Sequence, residues 1–145
     1  MERLQILFST LVIYDYNIRM LHWKVSGIDF GTKHELMDAY HSELNSMIDE
    51  VGEMILMLHG LIPSFAEINL FMSNSPKSFL IISGKENYDS KTVMNVVNNL
   101  FTDLIQLIDD TKSSNLPSDI ISKLEELQYW LRKETRYKLD STLIQ

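Results

Sequence analysis

The sequence contains no cysteine. That absence excludes a disulfide framework, thiolate zinc sites, Cys-ligated iron–sulfur clusters and a cysteine nucleophile, so any metal must be held by His, Asp and Glu. Basic charge is also scarce: 13 Lys and Arg against 20 Asp and Glu leave a net charge of -7. Such a balance gives no general attraction to phosphate or to an anionic lipid surface. No uninterrupted apolar run reaches the roughly 18 residues of a spanning helix, so no membrane segment is expected. The apolar run from Leu4 to Tyr14 is preceded by Glu2, closed by Asp15 and followed by no small-residue cleavage site, which makes a cytoplasmic protein the expectation. Glycine and proline number only 5 and 3 in 145 residues, of which 45% are apolar and 23% charged. This is the composition of a single globular domain, residues 1–145, with long uninterrupted segments.

Pro63, Pro76 and Pro117, with Gly27, Gly31, Gly60 and Gly84, divide the chain into segments of helical periodicity, and the reading is all-α. The first segment spans about residues 2–26, with Leu4, Leu7, Phe8, Leu11, Ile18, Leu21 and Val25 on one stripe and Ile6, Ile13 and Met20 on another. Two apolar faces predict a helix that packs inside its subunit and also against a neighbour. The second starts near Thr32, with Glu35 as its capping-box partner, and runs to Leu58 before Gly60 and Pro63. Residues 64–83 hold a short helix inside a long connection. The third segment runs from about Ser90 to Asp110 and the fourth from Ser118 to about Leu139. One long link after the second helix departs from an up-down-up-down bundle and predicts a ferritin-like four-helix bundle.

Residues able to bind a metal concentrate around the first two helices. His34 and Asp38 are one turn apart, as are Asp49 and Glu53, so each pair projects from one side of its helix. Eleven residues, three turns, separate Asp38 from Asp49, placing all four on one broad face. The two pairs nevertheless lie about 16 Å apart along the axis, far beyond metal-bond reach, so one chain cannot close a site. Two antiparallel second helices about a twofold axis can, each dimer then holding two identical sites. His22, twelve residues before His34 across the Gly27 to Gly31 turn, can add an imidazole at the same end. Two His and three carboxylates suit Fe(II), with Zn(II) and Mn(II) as competitors. Glu35, His41, Glu43 and Glu50 complete no such set and are read as surface or cavity-facing. His59 is read as a dipole partner at the helix end, Trp23 as a core residue or, beside a proposed ligand, one packed against the site, and Met47, Met54 and Met57 as core or interface filler.

His22-Trp23-Lys24-Val25-Ser26-Gly27, followed by Phe30, His34 and Asp38, resembles the first signature of the Dps family of miniferritins. Asp49-Glu50-Val51-Gly52-Glu53, then Leu58, Gly60 and Pro63, resembles the second, with the spacing between them preserved. The resemblance covers residues 22–63. It implies a four-helix subunit with a short extra helix in the middle connection, assembled as a hollow twelve-subunit shell. It further implies His22, His34 and Asp38 as iron ligands from one subunit and Asp49 and Glu53 from its partner. The activity implied is oxidation of Fe(II), preferentially by hydrogen peroxide, and storage of ferric oxyhydroxide. Met54 stands where the family usually has arginine. The Lys-rich N-terminal extension by which some members bind DNA has no counterpart, so no strong DNA binding is expected. The basic cluster Arg132, Lys133, Arg136 and Lys138 is read as a solvated last-helix face. Asp109, Asp110 and Asp119, around the turn between the third and fourth helices, are candidates for a cation-concentrating threefold pore.

Two rival readings are weighed. A di-iron oxygenase inside one bundle needs Glu-x-x-His pairs on two helices, and neither pair is present. A non-catalytic helical structural or interaction protein, with a vestigial or differently metallated interface site, predicts no iron-dependent activity and tolerance of Asp49→Ala.

Overall fold

The computed structural model describes residues 1–27, 29–75 and 87–139, with the backbone alone for 138 and 139. Pro76, Gly84 and the Lys138 side chain, all used above, lie outside the described residues. Five helices make up the described chain: α1 (Arg3–Lys24), α2 (Phe30–Met57), α3 (Phe65–Asn74), α4 (Ser90–Lys112) and α5 (Ser118–Lys133). A π-helical turn, Glu134–Leu139, continues α5 where the sequence reading extends the α-helix. Two-residue strands β1 (Val25–Ser26) and β2 (Tyr88–Asp89) pair in parallel, Val25 opposite Tyr88 and Ser26 opposite Asp89. Periodicity does not reveal so short a bridge. It pins the start of α4 beside the α1–α2 turn, so α4 runs antiparallel to α1 and parallel to α2. Ser26 Oγ donates to the Tyr88 carbonyl at 3.3 Å, and Ser90 Oγ donates to Asp29.

The core is built from the apolar stripes of four helices. Leu7, Leu11, Ile18 and Leu21 of α1 meet Met37, Leu44, Met47 and Val51 of α2, Val93, Val97, Phe101 and Leu104 of α4, and Leu124 and Leu131 of α5, all buried. Burial of this apolar surface is the main favourable term for the fold. The second α1 stripe is settled differently from the expectation at Ile13, which is buried within its own chain. Ile6 and Met20 are half-buried. Met47 and Met54 are core residues, whereas Met57 is exposed.

Several helix ends differ from the sequence reading. α2 starts at Phe30 after Asp29, with no side-chain cap. Gly27, at φ +116°, turns the chain tightly enough for Phe30 N–H to donate to the Gly27 carbonyl and Lys33 N–H to that of Asp29, so Thr32 falls inside the helix. At the other end His59, not a glycine, takes the left-handed conformation at φ 59°. Its N–H donates to Leu56 and that of Gly60 to Ile55, the paired bonds of a Schellman motif. The backbone here stops the helix, with His59 as its left-handed residue. A Cβ on Gly60 would lie 3.0 Å from Ile55 Cγ2 and 3.2 Å from its carbonyl oxygen, so a larger residue there would force Ile55 to give way. α3 carries a reciprocal capping box, Ser64 Oγ accepting from Glu67 N–H at 3.2 Å and Glu67 Oε1 from Ser64 N–H at 3.0 Å.

Several polar groups inside the bundle are paired across helices, although the buried Asn17 Nδ2 has no partner among the described residues. Gln128 of α5, buried, donates to the Ile105 carbonyl and to Asp109 and accepts from Lys112. Asp109, held below the usual carboxylate range chiefly by the Gln128 hydrogen bond, thus serves the α4–α5 contact within the chain. Tyr14 of α1 donates to Asp103 of α4 at 2.5 Å, and Tyr40 of α2 to Glu134 at 3.2 Å. Burial first, and the neighbouring carboxylate second, push both phenols far above their ordinary value.

Two predictions follow from these local energetics. His59→Gly removes the cost of a left-handed non-glycine residue and raises stability by about 1 kcal/mol in urea unfolding. Stability is at full value below the ordinary phenol value of 10.0 and falls as pH rises above it, because there the unfolded chain ionises while Tyr14 and Tyr40 stay protonated. Ultraviolet titration of the native protein will leave these two phenols silent until it unfolds.

Candidate metal centre

His22 lies in the last turn of α1 and His34 near the start of α2. The tight turn at Gly27 brings them face to face, with ring centroids 3.6 Å apart and planes inclined by 30°. Their hydrogen bonds are reciprocal: His22 Nδ1 donates to the His34 carbonyl at 3.0 Å, and His34 Nδ1 to the His22 carbonyl at 2.8 Å. A carbonyl can only accept, so both rings carry a proton on Nδ1, and in the neutral form Nε2 holds the lone pair. Neither Nε2 has a hydrogen-bond partner among the described residues. Backbone carbonyls that fix the tautomer and orientation of an imidazole are the usual outer support of a metal ligand. The Phe30 ring, 5.0 Å from that of His34, flanks the pair.

Asp38, one turn after His34, is exposed and shares a cleft with Arg19, His22, Trp23 and His41. Asp49 lies farther along α2, exposed beside Ser42, Asn45, Ser46 and Ile48, and Glu53 is exposed one turn beyond it. The chain therefore brings His22, His34 and Asp38 to one end of α2 and leaves Asp49 and Glu53 at a distance. Among the described residues no three His, Asp or Glu converge on a metal position. The helix rise by itself keeps the Asp49 and Glu53 pair away from the His34 and Asp38 end. Imidazole nitrogens and exposed carboxylates are the donor types that suit Fe(II).

Trp23, read as core, is 61% exposed and lines this cleft. With His22 against His34 of α2 and Lys24 buried over the Tyr88 ring, the residue between them is left outward. His41, read as surface or cavity-facing, is half-buried at the cleft and bonded to Asp15 of α1 at 2.6 Å. An acidic residue in the middle of the apolar first segment is the signal that could have shown this pair. Met54, in the position the family usually fills with arginine, points into the core at 3% exposure and does not reach the cleft.

No protein-family model matches the chain. Over 67 residues it is 33% identical to the DNA protection during starvation proteins of Listeria innocua and Listeria monocytogenes, a match covering 46% of this chain and 42% of each relative. The chain thus spans about two fifths of the length of these curated relatives in the match. Its fold is similar to Dps from Staphylococcus aureus, with a TM-score of 0.81 at 17% identity, covering 97% of this chain and 92% of that one. Dps from Listeria monocytogenes is also similar, with a TM-score of 0.74 at 20% identity, covering 100% and 95%. The architecture is a ferritin-like helical bundle. The sequence match covers less than half of the chain, and the structural likeness, at 17% and 20% identity, shows the shared fold.

Proposed function

We propose that this protein oxidises Fe(II), with hydrogen peroxide as the preferred oxidant, at a site shared by two subunits, and keeps the ferric product inside a hollow homo-oligomeric shell. The observation that carries this reading is the reciprocal His22–His34 pair, which leaves both Nε2 atoms without a hydrogen-bond partner among the described residues, with His22 sharing a cleft with Asp38. In the proposed site His22, His34 and Asp38 of one subunit face Asp49 and Glu53 of an antiparallel neighbour. The carboxylates neutralise Fe(II) and stabilise Fe(III), while the imidazoles hold the ion at a fixed place. Two Fe(II) ions give one electron each to one peroxide, so its O–O bond is cleaved in a two-electron step without release of hydroxyl radical. The same reaction detoxifies peroxide and stores iron.

The surface supports assembly. Leu61 and Phe65, between α2 and α3, are 80% and 83% exposed, and Leu56 and Met57 at the end of α2 are exposed beside them. An apolar surface of this extent marks a protein interface, and the family resemblance makes a dodecamer the proposed assembly. The names of the Listeria relatives refer to DNA protection. For this chain, with net charge -7, protection would come from removing Fe(II) and peroxide without strong DNA binding. No described helix is long and apolar enough to cross a membrane, and the cytoplasm is the proposed compartment.

Asp49→Asn and Glu53→Gln will each slow peroxide-driven Fe(II) oxidation by about tenfold or more, as lost ligands do, with helix content and oligomer size unchanged. Stopped-flow ferric absorbance after anaerobic iron loading measures it. Wild-type rates in either variant would contradict the shared-site reading and favour a non-catalytic interface.

A further inference from the structure

The cleft beside His22 and Asp38 contains a second set of residues that the ligand assignment leaves unused. Asp15 sits in the middle of α1 at 8% exposure. A carboxylate inside a helix–helix contact is costly unless paired, and burial holds Asp15 above its ordinary value against the lowering influence of His41 and Arg19. Its partner is His41 of α2, with Nδ1 2.6 Å from Asp15 Oδ1. Nδ1–H donates to the carboxylate, which leaves the Nε2 lone pair on the cleft side of the ring. Arg19 Nη2 covers that lone pair at 2.9 Å. Arg19 Nε lies 3.2 Å from His41 Nδ1, and since that nitrogen's proton is directed at Asp15, the Nη2 to Nε2 bond is the one that matters. Arg19 also lies 4.0 Å from Asp15 Oδ2, and its side chain is 47% exposed, so it is free to swing into solvent and uncover His41.

A histidine whose Nδ1–H is held by a buried carboxylate and whose Nε2 opens on a reaction cleft is the arrangement of a general base. The oxidation proposed above needs one: two Fe(II), one peroxide and two waters give two FeO(OH) and four protons, which must leave the site. We propose that His41, oriented by Asp15, accepts protons in the cleft: a water that coordinates newly formed Fe(III) loses its proton to His41 Nε2. Asp15 stabilises the resulting imidazolium through Nδ1–H. Arg19, repelled by the new charge, turns outward, and Nε2–H releases its proton to solvent before Arg19 returns. The groups facing His41 are Asp15 and Arg19 from α1, with His22 and Asp38 along the same cleft. His41 is three residues from Asp38 and has no hydrogen bond or ring contact with His22, His34 or Asp38 among the described residues. Asp15 and Arg19 are positioning residues in this scheme. The inference rests on the iron-oxidising reading.

The test is the pH–rate profile of peroxide-driven Fe(II) oxidation across about pH 5 to 8, the range in which histidine changes charge, for wild type, His41→Gln, Asp15→Asn and Asp49→Asn. Anaerobic Fe(II) binding is measured in parallel. Glutamine can still donate to Asp15, and Asp15→Asn provides a second variant should the first fail to fold. The expected result is unchanged Fe(II) binding in both relay variants, a rate reduced about tenfold in His41→Gln, and recovery of that rate as a non-coordinating buffer base is raised. A simple clasp between α1 and α2 would not be rescued by buffer. Wild-type profiles in both relay variants, or a loss that buffer does not restore, would overturn the proposal. A wild type no faster than Asp49→Asn would instead overturn the iron-oxidising reading and the relay with it.

Discussion

The rise of one long helix governs this molecule. α2 runs from Phe30 to Met57 without a break, and at about 1.5 Å per residue it holds Asp38 and Asp49 too far apart to share an ion. In the proposed site each of these carboxylates therefore needs donors from a second chain. The rest of the subunit is arranged around the ends of that helix. Gly27 turns α1 into α2 so that His22 and His34 lock through each other's backbone carbonyls. The β1–β2 bridge fixes α4 beside the same turn. At the far end a Schellman motif at His59 and Gly60 stops α2 and sends the chain past Pro63 into α3.

The polar interior follows the same economy. Buried side chains that could have disrupted packing instead tie helices together in pairs: Tyr14 with Asp103, Tyr40 with Glu134, Gln128 with Asp109 and Lys112. Each satisfied pair avoids the penalty of an unpartnered polar group in a low-dielectric core. Asp15 with His41 belongs to this set by construction but differs in place, because its imidazole borders the cleft that the first-helix histidine and Asp38 share.

Much of the architecture is legible in the sequence because it depends on local, repeated features. The apolar stripes of α1, α4 and α5 and the stops near Gly60 and Pro117 are periodic or punctual signals, and the four long helices occur where those signals place them. What is not legible depends on contacts between distant residues. The pairing of Val25 with Tyr88 spans the whole crossover, and the bond from Asp15 to His41 joins two helices. Thr32 matched a capping pattern, yet the turn geometry at Gly27 began the helix two residues earlier. Trp23 matched a core residue by composition, but its place between two inward-facing neighbours put it outside. In the candidate site the residue types and spacings of His22, His34, Asp38, Asp49 and Glu53 can be read directly. The hydrogen bonds that set the histidine tautomers require three dimensions.

The central claim, a site divided between two subunits, is tested most directly by complementation. Subunits carrying Asp38→Asn are co-assembled with an equal amount of subunits carrying Asp49→Asn, each strongly slowed alone. In a mixed twofold pair one site combines both defects, while the other takes Asp38 from one subunit and Asp49 from the other and is whole. Random mixing should restore about a quarter of the wild-type oxidation rate. A mixture as slow as its components would contradict the account and place the two carboxylates in separate roles.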